Sequence, residues 1–211
     1  MTSGKDSMKN DFRADGVKIS VPPTILYSMV AEIEDVRRAV TSDFKAPGDI
    51  IYLMGETYDE LGASELYRLF DTLGANVPKV RKEQALDLYR RMEQLTSRGL
   101  LQSSHDLSDG GLAVALAECT FGTELGFEIA LGETLPPHVQ LFSESHSRFV
   151  VSVAPGDSAA FETVAGTRAV RLGTTSATPK AIVNFDGGHI ALATQDLLAR
   201  WNGGLERGRD K

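Results

Sequence analysis

The sequence predicts one main domain with a layered α+β or α/β fold. The chain has 211 residues and 42% hydrophobic residues, enough to bury one sizeable core. Beyond residue 50, stretches with helical spacing alternate with short apolar runs typical of strands. This mixture favours helices layered on a sheet over a helical bundle or an all-β sandwich.

The sequence of the N-terminal part predicts little regular structure. Residues 1–16 are polar and have no periodic apolar face, so we expect them to be loosely ordered unless a partner covers them. Residues 17–20 alternate between apolar and polar side chains. The apolar run Thr24–Ile33 is predicted as a strand, and Glu34–Val40 is predicted as a helical turn. The stretch Thr41–Asp49 contains a Pro-Gly pair and indicates a linker, which puts a domain boundary near residue 47.

After that boundary the predicted elements follow one another closely. Strands are predicted at Ile50–Met54, Leu100–Ser103, Gly126–Leu131, Arg148–Val153 and Ala181–Phe185. Helices are predicted at Ser64–Leu73, Glu83–Arg98, Leu112–Cys119, Asp157–Val164 and Asp196–Asn202. The second of these helices carries its apolar residues on one face and ends at Gly99.

Charge and composition exclude several classes of partner. The formal net charge is −7 and no run of Lys or Arg exceeds two residues, so we expect no nucleic-acid partner. The lone Cys119 excludes an internal disulfide and fits a reducing compartment. The absence of a long apolar stretch or a hydrophobic signal region predicts a soluble, cytoplasmic protein without a membrane partner.

The segment 104–112 is the most informative candidate site. It places two carboxylates and two consecutive glycines between a predicted strand and a helix. Gly110 and Gly111 would let the backbone approach an anionic ligand, and Asp106 or Asp109 can hold a hard cation such as Mg²⁺. The alternative is structural: Asp109 caps the helix and the glycines form a tight turn.

Two further segments are candidates. Residues 142–148 are rich in hydroxyls and charges, and Glu144 and Arg148 either hold a ligand or form a surface ion pair. Residues 55–65 run from a predicted buried strand into a helix, where Ser64 is predicted as the N-cap. The four histidines have no metal-ligand spacing, which argues against zinc.

Six stretches together resemble the second half of phosphoribosylformylglycinamidine synthase. They are SGKDSMKN at 3–10, SVPPTILYSMV at 20–30, PGDIIYLMGET at 47–57, ELGASELYRL at 60–69, HDLSDGGLAVALAE at 105–118 and FSESHSRFVV at 142–151. They cover most of the chain, and the last two together discriminate far better than any short motif.

The resemblance implies a fold and a division of the chain. It implies a three-layer α/β/α domain like the AIR synthase-related C-terminal domain at residues 47–190. Residues 1–46 resemble the tail of the preceding sheet domain of that family, and residues 191–211 would be a C-terminal helix and tail. On this basis we expect the fragment alone to lack ligase activity.

The resemblance also implies a function. The family amidates formylglycinamide ribonucleotide with ATP, supported by Mg²⁺, in purine biosynthesis. Ammonia comes from glutamine through a glutaminase domain or subunit, and the remaining synthase domains complete the enzyme. No residue of this chain is expected to be catalytic.

The resemblance implies binding roles for particular residues. Gly4 and Ser7 match a glycine-rich motif that meets ATP and substrate in many relatives, whereas Lys5 stands where those relatives have a metal-binding asparagine. The other implied nucleotide- or substrate-binding residues are Ser108, Asp109, Gly110, Gly111, Glu144, Ser145 and Arg148, with Asp106 as the metal ligand. These are second-half positions, so they can line an auxiliary nucleotide pocket. Ala63 departs from the glycine often found in its motif.

Two other interpretations stay open at this point. The chain can be a non-catalytic structural or nucleotide-binding domain, or part of a related enzyme such as aminoimidazole ribonucleotide synthetase, selenophosphate synthetase or a hydrogenase maturation factor. The fragment can also form a homodimer through residues 17–33.

Overall fold

The computed structural model describes residues 3–4, 12–20, 27–33 and 35–204. The chain divides into two compact units, residues 1–37 and residues 38–211. The predicted three-part division at residues 46 and 190 stays a prediction.

The first unit contains two small antiparallel pairs. Strand β1 (Ser3–Gly4) pairs with β4 (Tyr27–Ser28), and β2 (Phe12–Ala14) pairs with β3 (Val17–Ile19). A 3₁₀ turn follows at Val36–Arg38. The predicted strand Thr24–Ile33 is wrong over residues 29–33, which form no strand. The apolar side chains of Met29 and Val30 are exposed, so none of the described residues buries this stretch, and residues 24–26 of the predicted strand lie outside the described residues.

The second unit is built on one mixed sheet of seven strands. These are β5 (Ile50–Met54), β6 (Ser103–Asp106), β7 (Gly126–Ala130), β8 (Phe149–Val153), β9 (Ala169–Ser176), β10 (Lys180–Phe185) and β11 (Gly188–Ala193). Their order is β11-β10-β7-β9-β5-β8-β6, and only the β10–β7 pair is parallel.

Within residues 38–204, six helices accompany the sheet. They are α1 (Glu65–Leu69), α2 (Lys82–Ser97), α3 (Gly111–Glu118), α4 (Pro137–Phe142), α5 (Ser158–Ala165) and α6 (Thr194–Asn202). The 3₁₀ turns at Pro155–Asp157 and Gly166–Arg168 flank α5. In the described part of the chain, no helix is long and apolar enough to cross a membrane.

The sheet is covered on both faces, which confirms the predicted three-layer α/β/α architecture. The five residues of central strand β5 are all buried. Ile51 and Leu53 face a core shared with α3 and α4, whereas Tyr52 and Met54 face a core shared with α2 and α5. Alternate side chains of a strand point to opposite faces, so a continuous apolar run is what a strand between two helical layers requires.

Two predicted elements of the second unit differ from the structure by more than two residues. The helix predicted at Ser64–Leu73 ends at Leu69, because the next residues turn and Asp71 adopts a left-handed backbone with φ of 51°. The strand predicted at Leu100–Ser103 begins at Ser103. The Leu100 amide still donates to the Leu95 carbonyl at the end of α2, and Leu101 is buried as a connection.

Asp49, directly before β5, is a buried acid with an unmet hydrogen-bonding atom. Its residue is 4% exposed, and its Oδ2 has no partner among the described residues. Burial raises the pKa of Asp49, and a backbone hydrogen bond at Ala46 offsets this only in part. Burial in the folded state therefore disfavours the charged form of this carboxyl relative to the unfolded chain.

We expect Asp49→Asn to raise the free energy of unfolding by about 1 kcal/mol near neutral pH, since the amide removes a buried charge. The folded-state pKa is raised, so the neutral carboxyl stabilises the fold at low pH, and this contribution is lost as pH rises through the folded pKa. Urea unfolding of both proteins at several pH values measures the difference. A gain that is constant with pH, or larger in acid, would contradict this account.

Candidate functional site

The three candidate segments meet at one edge of the sheet. β5 and β6 are both antiparallel to β8, which lies between them, so β5 and β6 run parallel. Their C-terminal ends and the start of β8 therefore lie at the same edge. This topology brings together the loops at residues 55–65, 104–112 and 142–148, which are far apart in sequence.

Glu144 connects two helix starts at this edge. Its Oε1 accepts a hydrogen bond from the backbone N–H of Glu65 at 2.9 Å and from that of Gly110 at 2.8 Å. The first N–H groups of a helix have no partner within the helix, and a carboxylate is favoured there. One side chain thus joins the start of α1 to the start of α3.

Arg148 is a buried arginine that bonds to protein oxygens. It is 1% exposed, and its guanidinium donates to the carbonyls of Ser145 and Ser143 and to Oγ1 of Thr57. Burial lowers its pKa to about 10, although Glu60 and Glu144 act in the opposite direction. The alternative of a surface ion pair between Glu144 and Arg148 is therefore wrong. Whether the guanidinium also binds a ligand stays a prediction.

The serines of this segment are also engaged within the protein. Ser143 and Ser145 are fully buried. The Ser145 hydroxyl accepts from the Tyr58 N–H at 3.2 Å, and the Ser143 hydroxyl donates to the Tyr58 carbonyl at 2.8 Å. These bonds fix the loop after β5 against the loop before β8.

The glycines at the start of α3 are required by the backbone. Gly110 is the N-cap residue, in a left-handed conformation with φ of 79°, and Gly111 has φ of 65°. A Cβ on Gly111 would lie 2.5 Å from the Ser143 carbonyl oxygen. The turn expected of the two glycines is present, but Asp109 does not cap the helix, because Glu144 supplies that acceptor from another loop.

The acidic side chains of this loop face solvent. Asp106, at the end of β6, has a side chain 65% exposed, and its Oδ2 accepts from the Ser108 hydroxyl at 2.6 Å. Asp109 is exposed and makes no hydrogen bond to a described residue. These two carboxylates are the charged groups of the loop that a solvent-borne ligand can reach.

The carboxylates of this loop fit a Mg²⁺ ion that is also coordinated by water and phosphate oxygens. Among the described residues, no group of three or more His, Cys, Asp or Glu side chains could hold a metal ion. Mg²⁺ is commonly held by one or two carboxylates together with water and phosphate oxygens. Asp106 fits that arrangement and does not fit a cage made by protein ligands alone.

Sequence reasoning missed a buried ion pair beside the site. Glu60 is 2% exposed and lies 2.7 Å from Arg81, whose guanidinium carbon is 3.4 Å from the centre of the Tyr58 ring. Burial acts to raise the pKa of Glu60, but hydrogen bonds from Arg81 and Ser145 outweigh it and lower that pKa. No local pattern pairs residues 60 and 81, so the sequence carried no signal for this contact.

A cleft of about 680 Å³ opens next to the loop after β5. Its apolar lining includes Leu53, Leu112 and Leu172, and its polar lining includes Thr57 and Asp59. This volume is within the range of small-molecule sites. Since Leu112 is in the first turn of α3, the cleft reaches the glycine turn.

The structure describes only one of the three N-terminal candidate residues, Gly4. Gly4 is in β1, paired with Tyr27. Ser7 and Lys5 lie outside the described residues. Their implied ligand roles stay predictions.

Residues 46–186, more than half of the chain, match the family model described as AIR synthase related protein, C-terminal domain. The chain belongs to this family. It is also 38% identical over 176 residues to phosphoribosylformylglycinamidine synthase subunit PurL of Leuconostoc mesenteroides. That match covers 83% of this chain and 23% of the relative, so the chain spans about a quarter of the relative's length.

Solved structures share the AIR synthase-related fold. PurL of Thermotoga maritima complexed with FGAR matches with a TM-score of 0.66 and 20% identity, over 77% of this chain and 30% of the other. Hydrogenase maturation protein HypE in complex with ATP matches with a TM-score of 0.54 and 20% identity, over 75% and 54% of the two chains. At these identities the likeness shows the fold alone.

We expect Glu144→Ala to lower the free energy of unfolding by about 1–3 kcal/mol, because the N–H groups of Glu65 and Gly110 both lose their acceptor. Glu144→Gln keeps an acceptor oxygen on a side chain of the same length, so its free energy of unfolding should fall clearly less. Chemical denaturation of both variants measures this. Equal losses in the two variants, or none in Glu144→Ala, would argue against the bridging role.

Ala63 adopts a backbone conformation that suits glycine, with φ of 60°. We expect Ala63→Gly to stabilise the protein by about 0.5–1 kcal/mol, since the left-handed conformation penalises a Cβ. The control is Ala199→Gly on the exposed side of α6, which should destabilise by about 1 kcal/mol. A loss of stability in both variants, seen by thermal unfolding, would show that residue 63 is not strained.

Proposed function

We propose that this chain is the C-terminal AIR synthase-related domain of the second half of a phosphoribosylformylglycinamidine synthase. The 38% identity to a PurL subunit over 176 residues carries this proposal. The whole enzyme would be a cytoplasmic ligase that uses ATP and a glutamine-derived nitrogen to amidate formylglycinamide ribonucleotide. A relative complexed with FGAR supports the substrate assignment.

The geometry supports a nucleotide site at the edge of the sheet where the three loops meet. Asp106 and Asp109 present exposed carboxylates on either side of Ser108, directly before the turn formed by Gly110 and Gly111. Leu112, the residue after that turn, lines the cleft. Mg²⁺, when bound with a nucleotide, would neutralise phosphate charge there, with Asp106 as its protein ligand and Ser108 orienting that carboxylate. Glu144, Ser145 and Arg148 hold the loops in place.

The chain would supply one part of the complete site. It spans about a quarter of the PurL relative's length, so the remaining synthase domains and a glutaminase domain or subunit would supply the rest. This domain would position its loops against those other domains, so that the bound reactants are held in the geometry that the reaction requires.

A second candidate is a nucleotide-binding role without ligase chemistry, or membership of another enzyme of the superfamily. The fold shared with HypE in complex with ATP favours this candidate. The higher identity to PurL favours the synthase.

Calorimetric titration of ADP and ATP with Mg²⁺ into the chain tests the nucleotide site. We expect saturable binding, weakened about tenfold by Asp106→Asn or Asp109→Asn, since each removes a carboxylate near the phosphates. The matched control is Asp186→Asn, in the exposed turn between β10 and β11, which should bind like the unmodified chain. No heat at millimolar nucleotide, or equal weakening by all three substitutions, would contradict a site at this edge.

A ligase assay separates the two candidates. With formylglycinamide ribonucleotide, ATP, Mg²⁺ and ammonia, the chain alone should form no amidine, and addition of the remaining synthase domains should restore product formation. Product from the chain alone would overturn the proposed division of labour. Failure of the assembled protein despite nucleotide binding would favour the second candidate.

A further inference from the structure

The last strand of the sheet has an open edge. β11 pairs with β10 on one side, and no other described strand pairs with it. All six of its residues, Gly188–Ala193, are exposed, and none is Asp, Glu, Lys or Arg; His189 is the one titratable residue of the strand. Exposed edges are usually protected by a charge, a proline, a bulge or shortness. β11 has no charge and no proline, and its register with β10 is continuous from Gly188 to Ala193.

The backbone of β11 therefore offers unpaired hydrogen-bonding groups. In an antiparallel pair, alternate residues direct both backbone groups to the partner strand, and the residues between them direct theirs away. About half of the six residues thus present N–H and C=O groups to the outside. A ligand that satisfies such a row is another β-strand.

A groove lies beside this edge. It has a volume of about 450 Å³ and is lined by Leu192 of β11 and by four residues of α6, namely Asp196, Leu197, Ala199 and Arg200. Ile190 and Leu192 stand opposite Val183 and Ala181, which are buried in the core on the α3 side. The apolar side chains of the edge therefore lie on the same face of the sheet as α6.

We propose that this edge pairs with the same edge of a second copy of the chain. Antiparallel pairing of two β11 strands about a twofold axis perpendicular to the sheet would join the two sheets into one. Such an axis keeps both copies of α6 on the same face and makes them antiparallel. Each groove carries one acid, Asp196, and one base, Arg200, so this orientation turns opposite charges of the two copies toward each other.

The chemistry of the edge favours a second copy over the tail of the same chain. Residues 205–211 follow α6, and five of the seven are charged: Glu206, Arg207, Arg209, Asp210 and Lys211. A strand of that composition is a poor partner for an uncharged edge. The surface also lies beyond residue 186, where the match to the family model ends. The proposal is independent of the ligase function.

The contact would be small. Pairing of two six-residue strands with their flanking side chains lies at the low end of specific interfaces, so we expect a dissociation constant of about 10–500 µM. Dimer formation should therefore depend strongly on protein concentration.

Sedimentation equilibrium from micromolar to near-millimolar protein tests the proposal. We expect the mass to rise toward twice 22.8 kDa, and Ala191→Lys to weaken association at least about tenfold. Residue 191 is near the centre of β11, so the two added charges would lie close together across the axis. The matched control is Ala177→Lys in the exposed connection between β9 and β10, which should dimerise like the unmodified chain.

A monomer at every concentration would overturn the proposal, and so would a dimer that tolerates Ala191→Lys. If such a dimer is dissociated by Val30→Lys in the first unit, the contact lies at residues 17–33 instead. Amide hydrogen exchange of the unmodified chain gives a second measure, because outward-pointing amides of β11 should become protected as concentration rises. Unchanged exchange in a dimeric sample would also contradict the pairing.

Discussion

A single carboxylate oxygen organises the edge of the sheet where the candidate site lies. Oε1 of Glu144 accepts from the first turns of two helices that belong to different loops. Beneath it, the buried guanidinium of Arg148 bonds to carbonyls of the same segment and to Thr57 of the neighbouring loop. A buried charge is stable only when its hydrogen bonds are satisfied, so these contacts depend on one another.

This arrangement divides the polar residues of the site into two groups. Glu144, Ser145 and Arg148 direct their hydrogen bonds to the protein and fix the relative position of three loops. Asp106 and Asp109 face solvent beside the glycine turn at the start of α3. The first group, bonded within the protein, sets the geometry, and the exposed group supplies the charge that a ligand would meet.

The elements predicted best are those whose local pattern agrees with their place in the fold. β5 is a continuous apolar run because both of its faces are covered, and α2 shows an apolar face because one side meets the sheet. The elements that were missed depend on neighbours. β9 contains Gly173, next to the backbone of Glu128. A Cβ on residue 173 would lie 2.0 Å from the carbonyl oxygen of Glu128, so only glycine allows this close approach.

Some missed elements did carry a signal. The Asp186-Gly187 pair between β10 and β11 is typical of a hairpin turn. Pro137 is the first residue of α4, a position that proline favours, and Pro136 is its N-cap. The candidate site was predictable as a set of segments, because glycines and carboxylates stand out between a strand and a helix. The roles of Glu144 and Arg148 were not predictable, since their partners lie up to 91 positions away in the sequence.

We infer that the three loops form one binding site held together by Glu144. The most direct measurement is an NMR titration of the ¹⁵N-labelled chain with Mg²⁺ and ADP, following the backbone amides of all three loops. We expect signals from residues 55–65, 104–112 and 142–148 to shift together with one dissociation constant, while those of β11 and α6 stay in place. Shifts confined to a single loop, or loops that titrate with different constants, would contradict it.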